Sequence, residues 1–275
     1  MPQVQIMVRR DTSLPRPAAA SHDGGPGKAG AYRADTWSKI FYTGMKKVLS
    51  PLCQAFWHPA AEGLDNIPAD GPAILASNHL PALDSAFIAL ASQRRVTFLA
   101  KSEYFNTPGL RGLAGKVFVA ATGQISVDRN NRRRATEALQ AGAHALHQGE
   151  LLGIFPEGTR SPDGRVYRGK LGVARLAMAT GAPVIPVELI GTFQVLPLNR
   201  RLPRSGRVHL RVGTPLRFPV ATGESAVPAQ RAATDQIMKA IQELSGQCPA
   251  DMYADRFKAS LRLAGHPPTG GADRP

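Results

Sequence analysis

Short apolar runs separated by helical segments govern what this chain can fold into. Ala73-Ile74-Leu75-Ala76, Val96 to Ala100, Gln124 to Val127, Leu151 to Phe155 and Val184 to Ile190 each read as a strand. Between them, Pro81 to Ala91, Arg132 to His147 and Leu171 to Thr180 have helical composition, the last stopped by Gly181. Val208 to Val212 reads as an edge strand. Ala229 to Leu244 reads as an amphipathic helix, with Ala233, Ile237 and Ile241 on its apolar face. Parallel strands need crossover helices, so the expected class is α/β, a mostly parallel sheet flanked by helices. At 275 residues and 43% hydrophobic content, one such core can close.

Several classes fall away early. Cys53 and Cys248 form no CxxC pair, which argues against a zinc finger or disulfide scaffold. His144 and His147 share a helix face without an evident third ligand, so no metal is expected. No run of about 20 apolar residues suits a transmembrane helix. The first residues lack the apolar stretch of a signal peptide, so the core is expected to fold in the cytosol. The net charge of +14 seeks phosphate, whether on nucleic acid, an anionic membrane or a small molecule. The arginines are scattered and aromatics are only 6%, so no stacking platform for nucleic acid stands out. A basic nucleic-acid-binding protein is the alternative from another class.

Residues 1–32 and 265–275 are rich in Pro, Gly and Ala and read as flexible tails. The segment 33–58 differs. Trp37, Phe41, Met45, Val48 and Leu52 fall near one helical face, Lys39, Lys46 and Lys47 on the other, and no acid occurs from Trp37 to Ala61. Ser50-Pro51 predicts a helix break. Such a segment either packs on the domain or lies in a membrane interface, aromatics in the acyl boundary and lysines on headgroups.

Four blocks follow apolar strands. In Asn78-His79-Leu80-Pro81-Ala82-Leu83-Asp84, the helix start can bring the Asp84 carboxylate back to the His79 imidazole, fixing its tautomer and leaving Nε2 to take a proton. No G-x-S-x-G elbow accompanies them, so the dyad would activate a substrate hydroxyl. Gly123 to Arg129 places Arg129 at a strand end before a cationic helix start, where phosphate can bind. Phe155-Pro156-Glu157-Gly158-Thr159-Arg160 forms a rigid turn at the carboxyl end of a strand, where α/β sheets bind ligands. The fourth block, Val184-Ile185-Pro186-Val187, is core, and its Pro implies an edge or an interrupted ladder.

In this order and spacing, the blocks NHLPALD, GQISVDR, FPEGTR and VIPV resemble the PlsC-type glycerolipid acyltransferases, the family of 1-acyl-sn-glycerol-3-phosphate acyltransferases, over roughly residues 60–215. The resemblance implies an acyltransferase domain over 59–264 with C-terminal helices. It implies that His79 is the general base, that Asp84 orients it, and that the hydroxyl attacks an acyl thioester directly. It makes Arg129 and Arg160 phosphate contacts, and Glu157, Gly158 and Thr159 part of the acceptor site. Asn78 positions the loop, and Lys101 lies where relatives carry a basic residue. Acyl-CoA or acyl carrier protein would be the donor, a substrate rather than a cofactor, and no cofactor is implied. The product would be phosphatidic acid; another lysolipid or a glycolipid acceptor is the alternative. The resemblance also favours a membrane-binding role for 33–58, with the protein peripheral on the cytoplasmic face of an anionic phospholipid membrane.

Overall fold

In the computed structural model, residues 36–81, 83–101, 125–127, 132–197 and 203–265 are described. They lie within one compact unit, Ala34–Pro275. Gly123, Gln124, Asp128 and Arg129 lie outside the described residues, as do the stretches 1–32 and 266–275. The backbone of Lys101 is described but its side chain is not.

Helix α1 (Thr36–Trp57) leads into the short strand β1 (Ala60–Glu62). Then come β2 (Ala73–Ser77), α2 (Asp84–Ala91), β3 (Val96–Lys101), β4 (Ile125–Val127), α3 (Arg132–His147), β5 (Leu151–Ile154), β6 (Val166–Tyr167), α4 (Gly172–Thr180) and β7 (Val184–Ile190). The chain continues through α5 (Thr192–Val195), β8 (His209–Val212), α6 (Val227–Ser245), β9 (Pro249–Ala250) and α7 (Ala254–Leu263).

Seven strands form one sheet in the order β1-β8-β7-β2-β5-β3-β4, and β6 pairs with β9 apart from it. Within the large sheet only β7 and β8 run antiparallel. The expected mostly parallel sheet is therefore present. Its central strand β2 is buried along its whole length, because helices cover both faces. Ala73 and Leu75 join one core with Tyr42 of α1 and Phe87 and Ile88 of α2. Ile74 and Ala76 join the other, with Leu146 of α3, Leu176 of α4 and Ile237 and Ile241 of α6.

This layering creates a switch point between two neighbouring strands. Strands β2 and β5 are neighbours, yet the helix after β2 packs on one face and the helix after β5 on the other. The carboxyl ends of such strands are where ligands enter open α/β sheets.

Three expectations are corrected. Strand β8 is not an edge: β1 pairs outside it, three residues too short to show a pattern. Helix α1 does not break at Ser50-Pro51 but continues through Pro51. An interior proline costs a helix about 3 kcal/mol. Contacts on both sides of Pro51 offset this: the Tyr42 hydroxyl donates to Ala89 O at 2.7 Å, and Trp57 Nε1 to Arg204 O at 2.7 Å. Lys46 does not face outward with Lys47. It donates to Ser92 O at the end of α2, and burial lowers its pKa. Tyr42, Lys46, Cys53 and Trp57 form the docked stripe of α1. Val48, Leu52 and Phe56, 65%, 50% and 55% exposed, form a second stripe about 100° around the helix.

Pro186 sits inside the sheet at an interrupted ladder. Strand β8 ends at Val212, Gly213 N reaches Pro186 O at 2.8 Å, and pairing resumes only at Leu216 with Val184. The missing amide falls in that gap.

Gly153 of β5 is required by packing: a Cβ there would lie 2.2 Å from the Phe98 ring. Gly153→Ala is expected to cost about 1–3 kcal/mol by overpacking, seen as a lower urea midpoint with unchanged slope. An unchanged midpoint would mean that the Phe98 ring can move aside freely.

Candidate active site

Strand β2 ends at Ser77, and the next two residues point to opposite faces. Asn78 is buried, and its Oδ1 accepts the Leu189 N–H at 3.2 Å and the Ser77 hydroxyl at 3.2 Å. Its Nδ2 donates to Gln247 Oε1 at 3.1 Å, and Gln247 in turn donates to Gly164 O at 2.9 Å. Asn78 therefore ties the loop after β2 to β7 and to the segment after α6.

His79 turns the other way. Its Nδ1 lies 3.0 Å from Asp84 Oδ2, with side-chain exposures of 15% and 0%. The same oxygen accepts the Leu80 N–H at 2.6 Å. Asp84 is the first residue of α2, so the five-residue spacing closes as the pattern predicts. Burial pushes the Asp84 carboxyl up, opposed by His79, the Leu80 N–H and the Thr192 hydroxyl. The imidazole lies flat on Phe155, with centroids 3.9 Å apart and planes 14° apart, and Phe155 stacks on Phe98 at 5.9 Å. The ring thus has one nitrogen on a buried acid and one face on an aromatic, which leaves Nε2 as the nitrogen that can exchange a proton with a ligand.

The turn after β5 is bound to the same loop. Ser161 N donates to His79 O at 2.7 Å, and Lys170 N to Pro156 O at 2.7 Å. Gly158 has φ of +74°, a conformation that only glycine adopts without strain. Glu157 is 1% exposed. Its Oε1 accepts the Tyr167 N–H at 2.8 Å. Burial pushes its carboxyl up to about 8, against the main-chain N–H groups of Tyr167 and His79. Glu157 therefore points into the protein and braces the turn, whereas Thr159 and Arg160 are half-buried at its outer side.

The sequence did not point to Gln247, Tyr167 or Lys258. Lys258 of α7 donates to Thr159 Oγ1 at 2.8 Å and to Arg160 O. Burial, then Arg160, lower its pKa to about 8. These residues lie outside the four blocks, on segments that only the fold brings to the site. Of the predicted residues, His79, Asp84, Asn78 and the Glu157–Arg160 turn come together. Arg129 and the Lys101 side chain lie outside the described residues.

The Acyltransferase family model matches residues 58–190. The chain is 34% identical over 143 residues to the chloroplastic 1-acyl-sn-glycerol-3-phosphate acyltransferase LPAT1 of Arabidopsis thaliana, covering 52% of this chain and 38% of that protein. It is 30% identical over 130 residues to a 1-acyl-sn-glycerol-3-phosphate acyltransferase of Borreliella burgdorferi, covering 47% of this chain and 50% of that protein. The chain thus spans half or less of the length of these two relatives. The crystal structure of the 1-acyl-sn-glycerophosphate acyltransferase PlsC of Thermotoga maritima superposes with a TM-score of 0.60 at 25% identity, covering 79% of this chain and 85% of that one.

The folded Glu157 carboxyl lies near 8 against an ordinary 4.5, so the folded state binds the extra proton. Its stabilisation is complete below 4.5 and is lost as pH rises through about 8. Glu157→Gln removes this dependence. In urea unfolding from pH 5 to pH 8.5, wild type is expected to lose stability relative to Glu157→Gln as pH rises. A constant difference would place the carboxyl near its ordinary value.

Proposed function

From the premise that residues 58–190 form an Acyltransferase-family domain, we propose that the protein transfers a fatty acyl group from a thioester, acyl-CoA or acyl carrier protein, to the sn-2 hydroxyl of 1-acyl-sn-glycerol-3-phosphate. The product is phosphatidic acid. The observation that carries this reading is the imidazole of His79 held by the buried Asp84 at 3.0 Å, beside the turn that presents Arg160.

In this mechanism the acceptor hydroxyl gives its proton to His79 Nε2 as its oxygen attacks the thioester carbonyl. The C–O bond forms, the C–S bond breaks, and the departing thiolate takes the proton from the imidazolium. Asp84 holds Nδ1–H and stabilises the transient cation. Arg160 and Arg129 hold the acceptor phosphate, and Lys101 contributes a further cation to substrate binding; Gly158 and Thr159 shape the turn. Asn78 and Glu157 hold the two loops in register. The aromatic shelf of Phe155 fixes the plane of the base.

The two substrates bring acyl chains, and the same sheet face offers apolar space. A cavity of about 200 Å³ lies between α1, α2 and β8, lined by Cys53, Phe87, Leu90, Ala91, Val208 and Leu210. The exposed stripe of α1 suits a lipid surface, with Phe56 and Leu52 in the acyl boundary and Lys47 at the headgroups. No helix among the described residues is long and apolar enough to cross a membrane. The proposed location is therefore peripheral, on an anionic bilayer.

His79→Ala is expected to lower acyl transfer by at least about 10²–10⁴-fold, with Asp84→Asn also severe. The measurement is product formation from labelled acyl-CoA and a panel of lysophosphatidate, lysophosphatidylcholine and monoacylglycerol. A folded His79→Ala protein retaining more than about a tenth of the wild-type rate would remove His79 as the base. Preference for an acceptor without a terminal phosphate would redirect the substrate assignment.

The membrane assignment is tested with the triple variant Val48→Ser, Leu52→Ser, Phe56→Ser in the full chain. Each apolar side chain contributes about 1.5–3 kcal/mol on burial, so vesicle affinity is expected to fall at least about tenfold. Wild-type binding to anionic vesicles should weaken as salt rises. Undiminished binding by the triple variant would assign lipid contact to another surface.

A further inference from the structure

The geometry points to Lys258 as a cation of the acceptor-phosphate site, recognising a phosphomonoester together with Arg160. This assignment rests on the lysophosphatidate reading above and deepens it. Lys258 lies 98 residues beyond Arg160, outside the matched segment 58–190. Two of its bonds go to Thr159 Oγ1 and Arg160 O, within the very turn that presents the Arg160 guanidinium. That turn is one residue from Ser161, whose N–H is bonded to His79 O. The ammonium is therefore held on the turn that is bonded to the loop of the base. An ammonium has three N–H donors, and the two bonds to the turn aim it without exhausting it.

The charges around it favour an anion. Arg160 and Arg262 both bear on Lys258 as like charges, and Glu157 and Asp255 as opposite ones. Asp255 is already paired with Lys170 at 2.8 Å. Glu157, with its carboxyl near 8, is mostly neutral at neutral pH. What is left is a group of cations, Arg160 and Lys258 half-buried and Arg262 exposed, and burial together with Arg160 pulls the Lys258 pKa down to about 8. A phosphomonoester dianion supplies the charge that this group lacks. A lysine that merely straps α7 to the turn would gain nothing from an anion.

The experiment uses the full chain and compares wild type, Lys258→Met and Lys258→Arg, with 1-oleoylglycerol 3-phosphate and 1-oleoylglycerol as acceptors. Lys258→Met is expected to raise KM for the phosphorylated acceptor about tenfold and to leave KM for the neutral acceptor and for acyl-CoA within about threefold, and Lys258→Arg to recover most of the loss. An equal loss on both acceptors would leave only a strap and overturn the assignment. A rise confined to acyl-CoA would give Lys258 to a donor phosphate and overturn it too. A readout independent of turnover is labelling of lysine amines in wild type with and without sn-glycerol 3-phosphate, glycerol being the control. Protection of Lys258 by the phosphate alone supports the site even if neither acceptor is acylated, in which case only the lysophosphatidate reading fails. Absence of protection overturns the site whatever the activity.

Discussion

A carboxylate with no solvent exposure, 3.0 Å from an imidazole nitrogen, sets the terms for the rest of this molecule. Burying Asp84 costs free energy that only hydrogen bonds and a partner charge can offset. The Leu80 N–H and the His79 ring supply them from the loop between β2 and α2. That loop must then be held, because a shift of an ångström would leave a buried acid unpaired. Asn78 holds it against β7, and Ser161 holds it against the turn after β5. Three adjacent strands of the sheet are thereby committed to one side-chain pair.

The second constraint is steric. The Phe98 ring occupies the space above Gly153, where a Cβ would fall 2.2 Å away. From there it stacks on Phe155, which stacks on His79. A glycine in a central parallel strand sacrifices packing and adds chain entropy. Here it lets an aromatic column run from the sheet to the face of the imidazole. The buried pair fixes one edge of the ring and the column fixes its plane, so few orientations remain for the base.

Much of the site was legible because its chemistry is local in sequence. His79 and Asp84 are five residues apart across a strand-helix junction, and the Glu157–Arg160 turn directly follows an apolar run. What escaped the sequence is long-range. Glu157 reads as a ligand group, yet a main-chain N–H of the two-residue strand β6 draws it inward. Gln247 and Lys258 reach the site from segments with no motif of their own. In α1, Lys46 shared a polar side with Lys47 in projection, but the docked stripe takes in Lys46 and leaves Lys47 exposed. Pro51 promised a break because its missing amide is a local cost, whereas the anchors at Tyr42 and Trp57 are tertiary. Strand β1 was missed because Ala60–Glu62 is exposed throughout and pairs on one side only.

Helix α1 is linked to the base through α2. Its docked stripe meets α2 at the carboxyl end, through Tyr42 to Ala89 and Lys46 to Ser92. Asp84 is the first residue of that same helix, eight residues long, which is about 12 Å. Tyr42, Phe87 and Phe155 belong to one core on one face of the sheet, and His79 lies at its rim. The exposed stripe of Val48, Leu52 and Phe56 is therefore held at a set distance from the imidazole. Helix α2, buried on five of its eight residues, carries that fixed distance through the core.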